Sequence, residues 1–182
     1  LGVNTSKAFC LVETGEELWR NDEPSPTRSA VLTRLSHSHI RFGTFQRCAY
    51  FEDRAAMAKL VDYCVENFHP QADDPDMARK ACRLLEAVTQ ATATMIGQWM
   101  AAGFVHGVMN TDNFNITGET FDFGPWRFLP VSDPNFTAAY FDQNGLYRFG
   151  RQPVQGAWSL QQLASALLLL ADADDLAASL AP

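Results

Sequence analysis

The sequence predicts an α+β chain, with a few strands gathered ahead of a mostly helical remainder. Three observations carry that prediction. Short β-prone runs lie before residue 36. From Asp53 onward, apolar residues recur at helical spacing. Between a long helix and a later β-prone stretch sits a polar, glycine-containing segment of the kind that carries chemistry.

The elements follow in order. Ala8 to Val12 is apolar, Thr14-Gly15 is a turn signal, and Glu17-Leu-Trp-Arg20 follows; the pattern reads as a hairpin. Asn21 to Pro26 is turn-rich, and Ala30 to Leu35 is β-prone with Arg34 near its end. Ser36 to Phe45 reads as a polar and aromatic connector holding His37, His39 and Arg41. Met57, Leu60, Val61, Cys64, Val65 and Phe68 form one helical face, with Asp53 as N-cap and His69-Pro70 as the stop. Asp73-Asp74-Pro75-Asp76 starts a longer helix with Leu85, Val88, Met95 and Trp99 inward and Gly103 at its end. Asn115 to Glu119 reads as a turn and Thr120 to Phe123 as β-prone. Asp133-Pro134 and Asn144-Gly145 mark turns, and Ser159 is expected to cap a final helix with Leu160, Leu163 and Leu167 inward.

The 182 residues suit one domain, or one lobe and part of another. Hydrophobic residues at 47% suffice for a core, and the net charge of −7 argues against nucleic acid as the main partner. Cys10, Cys48, Cys64 and Cys82 form no C-x-x-C pair, so buried, reduced thiols are expected. The longest apolar run, Ala166 to Ala171, is too short to span a bilayer, so no membrane role is expected. The chain starts at Leu1 and ends in an Ala-rich pattern, and both ends read as cut from something longer.

The chemistry-bearing segment is His106-Gly-Val-Met-Asn-Thr-Asp-Asn113, followed by Asp122-Phe-Gly124. It parallels the protein-kinase pair H-R-D-L-x-x-x-N and D-F-G. His106, Asn113 and Asp122 fall on the kinase positions, but Val108 stands where a kinase keeps its catalytic Asp. An amide oxygen and a carboxylate suit Mg²⁺, which takes few protein oxygens and leaves the rest to phosphate and water. The competing structural roles are a turn cap for Asn113 and an ion pair for Asp122. Asp112 is a candidate proton acceptor; it could equally orient Asn113 or a metal-bound water. Arg34 and Arg41 could fork onto phosphate, although spacing alone favours surface salt bridges. His37 and His39 read as hydrogen-bonding connector residues, and His106 as a satisfied histidine that orients the loop. Lys7, Lys59 and Lys80 lie in no V-A-I-K-like strand, and no G-x-G-x-x-G occurs.

These residues resemble the selenoprotein O family of kinase-fold protein adenylyltransferases. The carrying segments are Leu1 to Ala8, Ala30 to Leu35, Ser38-His-Ile-Arg-Phe-Gly-Thr-Phe45, Gly103 to Asn113, Asp122-Phe-Gly-Pro125, and Phe149-Gly-Arg-Gln-Pro153 before Trp158. The resemblance implies a protein-kinase-like fold, mainly the helical C-lobe (37–182) with a remnant of N-lobe strands (1–36). It implies transfer of AMP from ATP, bound in a flipped orientation, to hydroxyl side chains of partner proteins with Mg²⁺ or Mn²⁺. Asp112 then resembles the proton acceptor, Asn113 and Asp122 the metal ligands, and Arg34 and Arg41 the nucleotide-phosphate contacts, with Asp122 counted among the nucleotide-binding residues as well. The implied setting is cytoplasmic in a bacterium and mitochondrial in a eukaryote. Alternatives are UMP transfer from UTP and a non-catalytic pseudokinase module that binds nucleotide or protein.

The chain departs from the family pattern in places. Asn4-Thr-Ser-Lys7 replaces Pro-Thr-Thr-Arg, Phe114-Asn115 replaces Met-Ser, Trp126-Arg127 replaces an aromatic-Gly pair, and Pro130 replaces an Asp. These changes flank the metal ligands and bear on substrate preference more than on metal binding. The resemblance begins after the family's Gly-rich loop and lysine, so the segment alone is expected to be weak or inactive.

Overall fold

The computed structural model describes residues 2–19 and 25–181. It is α+β: an antiparallel strand pair, then a helical body with a second, minimal strand pair. Strand β1 (Lys7–Leu18) pairs with β2 (Thr27–Leu35), Lys7 opposite Leu35 and Leu18 opposite Thr27. The expected hairpin turn at Thr14-Gly15 is instead a register shift inside β1, with Gly15 at φ 77°. A local turn signal was overridden by pairing with β2, and glycine supplies the positive φ the bulge needs. Arg20 and most of the turn-rich stretch lie outside the described residues.

The connector expected over Ser36 to Phe45 ends early, because helix α1 (Phe42–Tyr50) begins inside it. Gly43 and Thr44 are poor helix formers and the N-cap is Arg41 rather than Ser, Asp or Asn, so propensity hides this helix. Packing makes it: Phe42 and Phe45 are fully buried, and Phe42 stacks on Phe114 at 5.4 Å. Helices α2 (Arg54–Phe68) and α3 (Met77–Ala102) start where their caps predict. The Asp53 side chain accepts from the Ala56 N–H at 2.8 Å, and Asp76 from Arg79 N–H at 3.0 Å. His69 caps the C-terminus of α2 ahead of a short turn beginning at Pro70. Gly103, at φ 67°, ends α3 in the left-handed conformation. Lys80 joins α3 to the preceding segments by ion pairs to Asp62 (2.7 Å) and Asp73 (3.1 Å).

Strands β3 (Phe104–Val105) and β4 (Arg127–Phe128) pair antiparallel directly after α3. Thr120 makes isolated bridges to Thr5 and Phe114, but the β-prone stretch from Thr120 to Phe123 forms no strand. Helix α4 (Gln152–Leu167) begins seven residues before the expected cap. Pro153 in its first turn sets that start. Ser159 is buried mid-helix, its hydroxyl donating to the Met109 carbonyl at 3.4 Å. A short α5 (Ala173–Ala178) closes the described chain. The core joins α1 to α4 through Leu84, Leu85, Val88, Met95, Trp99, Leu163 and Leu167.

The cysteines depart from expectation. Cys64 is buried, and burial pushes its thiol up to about 12. Cys48 and Cys82 are half-buried, and Cys10 is exposed because both faces of β1 are open. All four are free thiols. No helix among the described residues is long and apolar enough to cross a membrane.

Candidate functional site

Trp99, one turn before the end of α3, fixes the back of the site. It is 1% exposed, and its indole N–H donates to the Thr120 hydroxyl at 2.7 Å. His106 packs against it with ring centroids 5.3 Å apart. The His106 backbone N–H donates to the Gln152 side chain at 2.9 Å. The Gln152 amide in turn donates to the Phe104 carbonyl at 2.9 Å, so α4 clamps both sides of the strand that delivers His106.

Both His106 ring nitrogens are engaged. Nε2 meets the Asp122 carbonyl, and Nδ1 takes the Val108 N–H at 3.3 Å. A carbonyl partner needs a donor and an N–H partner needs an acceptor, so the neutral ring protonated at Nε2 satisfies both. Burial, partly offset by those hydrogen bonds and the nearby Asp122 charge, pushes the imidazole below its ordinary range. The expected orienting role therefore has a structural basis: one side chain spans the loop and the Asp122 segment.

The same span reaches Asn113. Its Nδ2 donates to the Val108 carbonyl at 2.8 Å, which leaves the amide oxygen outside that bond. The Asp122 Oδ1 accepts from the Gly124 N–H at 2.8 Å, and Gly124 holds φ 49° to close this tight turn. A β-carbon at Gly124 would sit 3.3 Å from the His106 carbonyl, so the turn is pressed against the loop. Asn113 and Asp122 are thus connected through Val108 and His106. Asn113 does take the structural role set against metal binding, since its amide ties down its own loop, whereas Asp122 has no ion pair among the described residues. No three His, Cys, Asp or Glu side chains gather into a metal cluster among the described residues. One amide oxygen and one carboxylate fit a hard cation that draws its remaining ligands from phosphate and water.

Asp112 is exposed, on a short helical turn (Thr111–Asn113) docked against α1. The Arg41 guanidinium donates to the Asp112 carbonyl at 3.1 Å. The Thr111 hydroxyl and the Gln46 side chain are 2.6 Å apart.

Arg34, on β2, and Arg41, ahead of α1, converge on the Phe121–Phe123 segment. Arg34 donates to the Phe121 carbonyl and lies over the Phe123 ring, 4.7 Å from its centroid. Arg41 lies 6.0 Å from the Phe121 centroid. The surface salt bridges favoured by spacing do not form among the described residues. Arg34 also lines a small cleft with Ser6, Ser36, His39 and Phe121. The strand pair and the helical body each contribute one guanidinium beside the segment bearing Asp122.

Glu119 was missed by sequence reasoning, which placed it in an ordinary turn. It is 4% exposed and takes the His37 ring at 2.7 Å, the His37 N–H at 3.1 Å, and the Ser36 and Thr117 hydroxyls at 3.2 and 3.1 Å. Burial pushes its carboxyl up, but these donors outweigh it and the net shift is downward. His37 therefore gains a carboxylate that no sequence neighbour announced. His39 instead sets its ring edge-on to Phe121 at 5.5 Å.

A sequence model of the family described as "Protein adenylyltransferase SelO" matches residues 1–182. The chain belongs to that family. Among SelO relatives is "Protein nucleotidyltransferase YdiU" of Synechocystis, 49% identical over 170 residues, covering 92% of this chain and 35% of the relative. The protein of the same name from Gloeobacter violaceus is 49% identical over 182 residues, covering 100% and 37%. That from Hahella chejuensis is 44% identical over 184 residues, covering 99% and 36%. This SelO chain spans about a third of the length of the curated relatives it matches.

Proposed function

We propose that this chain is the metal- and nucleotide-holding part of a protein adenylyltransferase that moves AMP from ATP to Ser, Thr or Tyr hydroxyls of other proteins. The observation that carries this reading is the Asn113–Val108–His106–Asp122 linkage, in a chain whose relatives are named protein nucleotidyltransferases. In this reading the architecture is kinase-like. Residues 1–36 are the remnant of a smaller strand lobe, and 37–182 are the part of the helical lobe that carries the loop. Bacterial relatives make a cytoplasmic setting part of the same reading.

Asn113 and Asp122 would hold Mg²⁺ or Mn²⁺, and the cation would supply charge neutralisation for the phosphates. Arg34 and Arg41 approach one segment from two sides and suit the phosphate oxygens. The acceptor hydroxyl oxygen attacks the α-phosphorus, its proton passes to the Asp112 carboxylate, and the bond to the β-phosphate breaks to release pyrophosphate. Val108 puts no carboxylate at the position a γ-phosphoryl transferase uses. Without a Gly-rich loop and its lysine, the 182-residue segment alone is weak or inactive, because preorganised charge at phosphorus is worth orders of magnitude in rate.

The test uses the full-length protein that carries this segment, with casein as acceptor and a divalent metal. Retained label from α-labelled ATP supports the reading. Label only from the γ position would make it a kinase, and bound nucleotide without any label a pseudoenzyme. α-Labelled UTP run in parallel decides between AMP and UMP.

A further inference from the structure

We infer that Gly43 is a positioning residue for the reacting carboxylate, and that α1 is the platform on which the Asp112 turn is set. The inference rests on the role proposed above for Asp112. A β-carbon built at Gly43 would fall 2.1 Å from the Asp112 Oδ1, far inside any permitted contact. The carboxylate therefore occupies the space that a side chain at position 43 would take. Two neighbouring contacts act in the same direction. Arg41 holds the Asp112 carbonyl, and Gln46, one turn beyond Gly43 on α1, meets the Thr111 hydroxyl. Residues 41 and 46 thus hold the turn, and the bare backbone of Gly43 leaves room for the Asp112 carboxylate.

Electrostatics adds to the fit. The first turn of α1 carries no acidic residue of its own. The positive end of a helix attracts a carboxylate, and here it comes from a loop about seventy residues later in sequence. Gly43 shows no positive φ, so the backbone does not require glycine. The reason for glycine is the space above it. Asp112 is exposed and its carboxylate is the free end of the side chain, so a methyl group would move that carboxylate and leave the fold in place.

This gives Gly43→Ala two effects of opposite sign. Alanine is the better helix former, so the melting temperature should hold or rise. A carboxylate displaced by about an ångström loses its alignment with the acceptor hydroxyl, so kcat should fall at least about tenfold while KM for ATP holds. The experiment measures AMP transfer by the full-length protein and its Gly43→Ala, Asp112→Asn and doubly substituted forms. Melting temperatures are taken with and without ATP and magnesium. The expected result is a stable Gly43→Ala protein with normal nucleotide-induced stabilisation, low kcat, and no further loss when the substitution is added to Asp112→Asn. If Asp112→Asn transfers AMP as well as wild type, the role of Asp112 fails and the inference falls with it. If Asp112→Asn is crippled while Gly43→Ala is fully active, melts lower, or loses as much in the Asp112→Asn background as alone, only the inference is overturned.

Discussion

The strand pair and the helical body solve the burial problem in opposite ways. In the body, Trp99 is 1% exposed and lies among Phe104, His106 and Phe114. In the strand pair, Phe9 is 71% exposed, and Leu11, Val12, Val31, Leu32 and Leu35 are exposed as well. β1 and β2 are joined chiefly to each other. Ties to the body include Arg34 of β2, which donates to the Phe121 carbonyl and lies over the Phe123 ring, and, just beyond the strand ends, hydrogen bonds from Ser6 to Thr120 and from Ser36 and His37 to Glu119. Stability should therefore reside in the helical body, while the strands act on the site through a few directed hydrogen bonds.

The sharpest way to break this contrast is to empty the body. Trp99→Ala removes the indole behind His106 and should cost about 3–5 kcal/mol of unfolding free energy in denaturant titrations. A loss below about 1 kcal/mol would mean that the core does not depend on this residue.

His106 gives a second, pH-dependent prediction confined to the body. Its folded pKa lies below the ordinary 6.5, so below that pH the unfolded chain binds the extra proton first. Stability rises with pH wherever the unfolded state binds more protons. The His106 contribution is thus complete above pH 6.5 and is lost as pH falls below it. Melting temperature should drop between pH 7 and 5 in the wild type, and His106→Gln should flatten that dependence. Glu119 acts in the same direction only below its ordinary 4.5, outside this window. An equal slope in the variant would contradict the assignment.

The smallest effect belongs to the strands. Phe9→Thr keeps β-propensity and removes an exposed ring, so it should shift unfolding free energy by no more than about 0.5 kcal/mol. A change as large as that of Trp99→Ala would erase the difference between the regions.

Legibility in the sequence follows the same division of forces. Asp53, Asp76 and Gly103 were readable because capping is local chemistry within four residues. α1 was hidden because Phe42 and Phe45 form it by packing against distant residues, Phe114 among them. Ser159 misled because a serine before an apolar run looks like a cap, whereas Pro153 had already set the start of α4. At the site, the residue types of the loop were legible, and so was His106 as an orienting group. The environment of Glu119 and the space above Gly43 were not, since each is defined by a partner about seventy to eighty residues away.

The central claim is that Asn113 and Asp122 together hold a divalent cation on a nucleoside triphosphate. Its most direct measurement is calorimetric titration of Mn²⁺–ATP into the full-length protein and its Asn113→Ala and Asp122→Ala forms, each checked for unchanged melting temperature. The account predicts saturable binding by the wild type and a loss of at least about a hundredfold in affinity in both variants. Binding of Mn²⁺–ATP by Asp122→Ala as tight as by the wild type would contradict it.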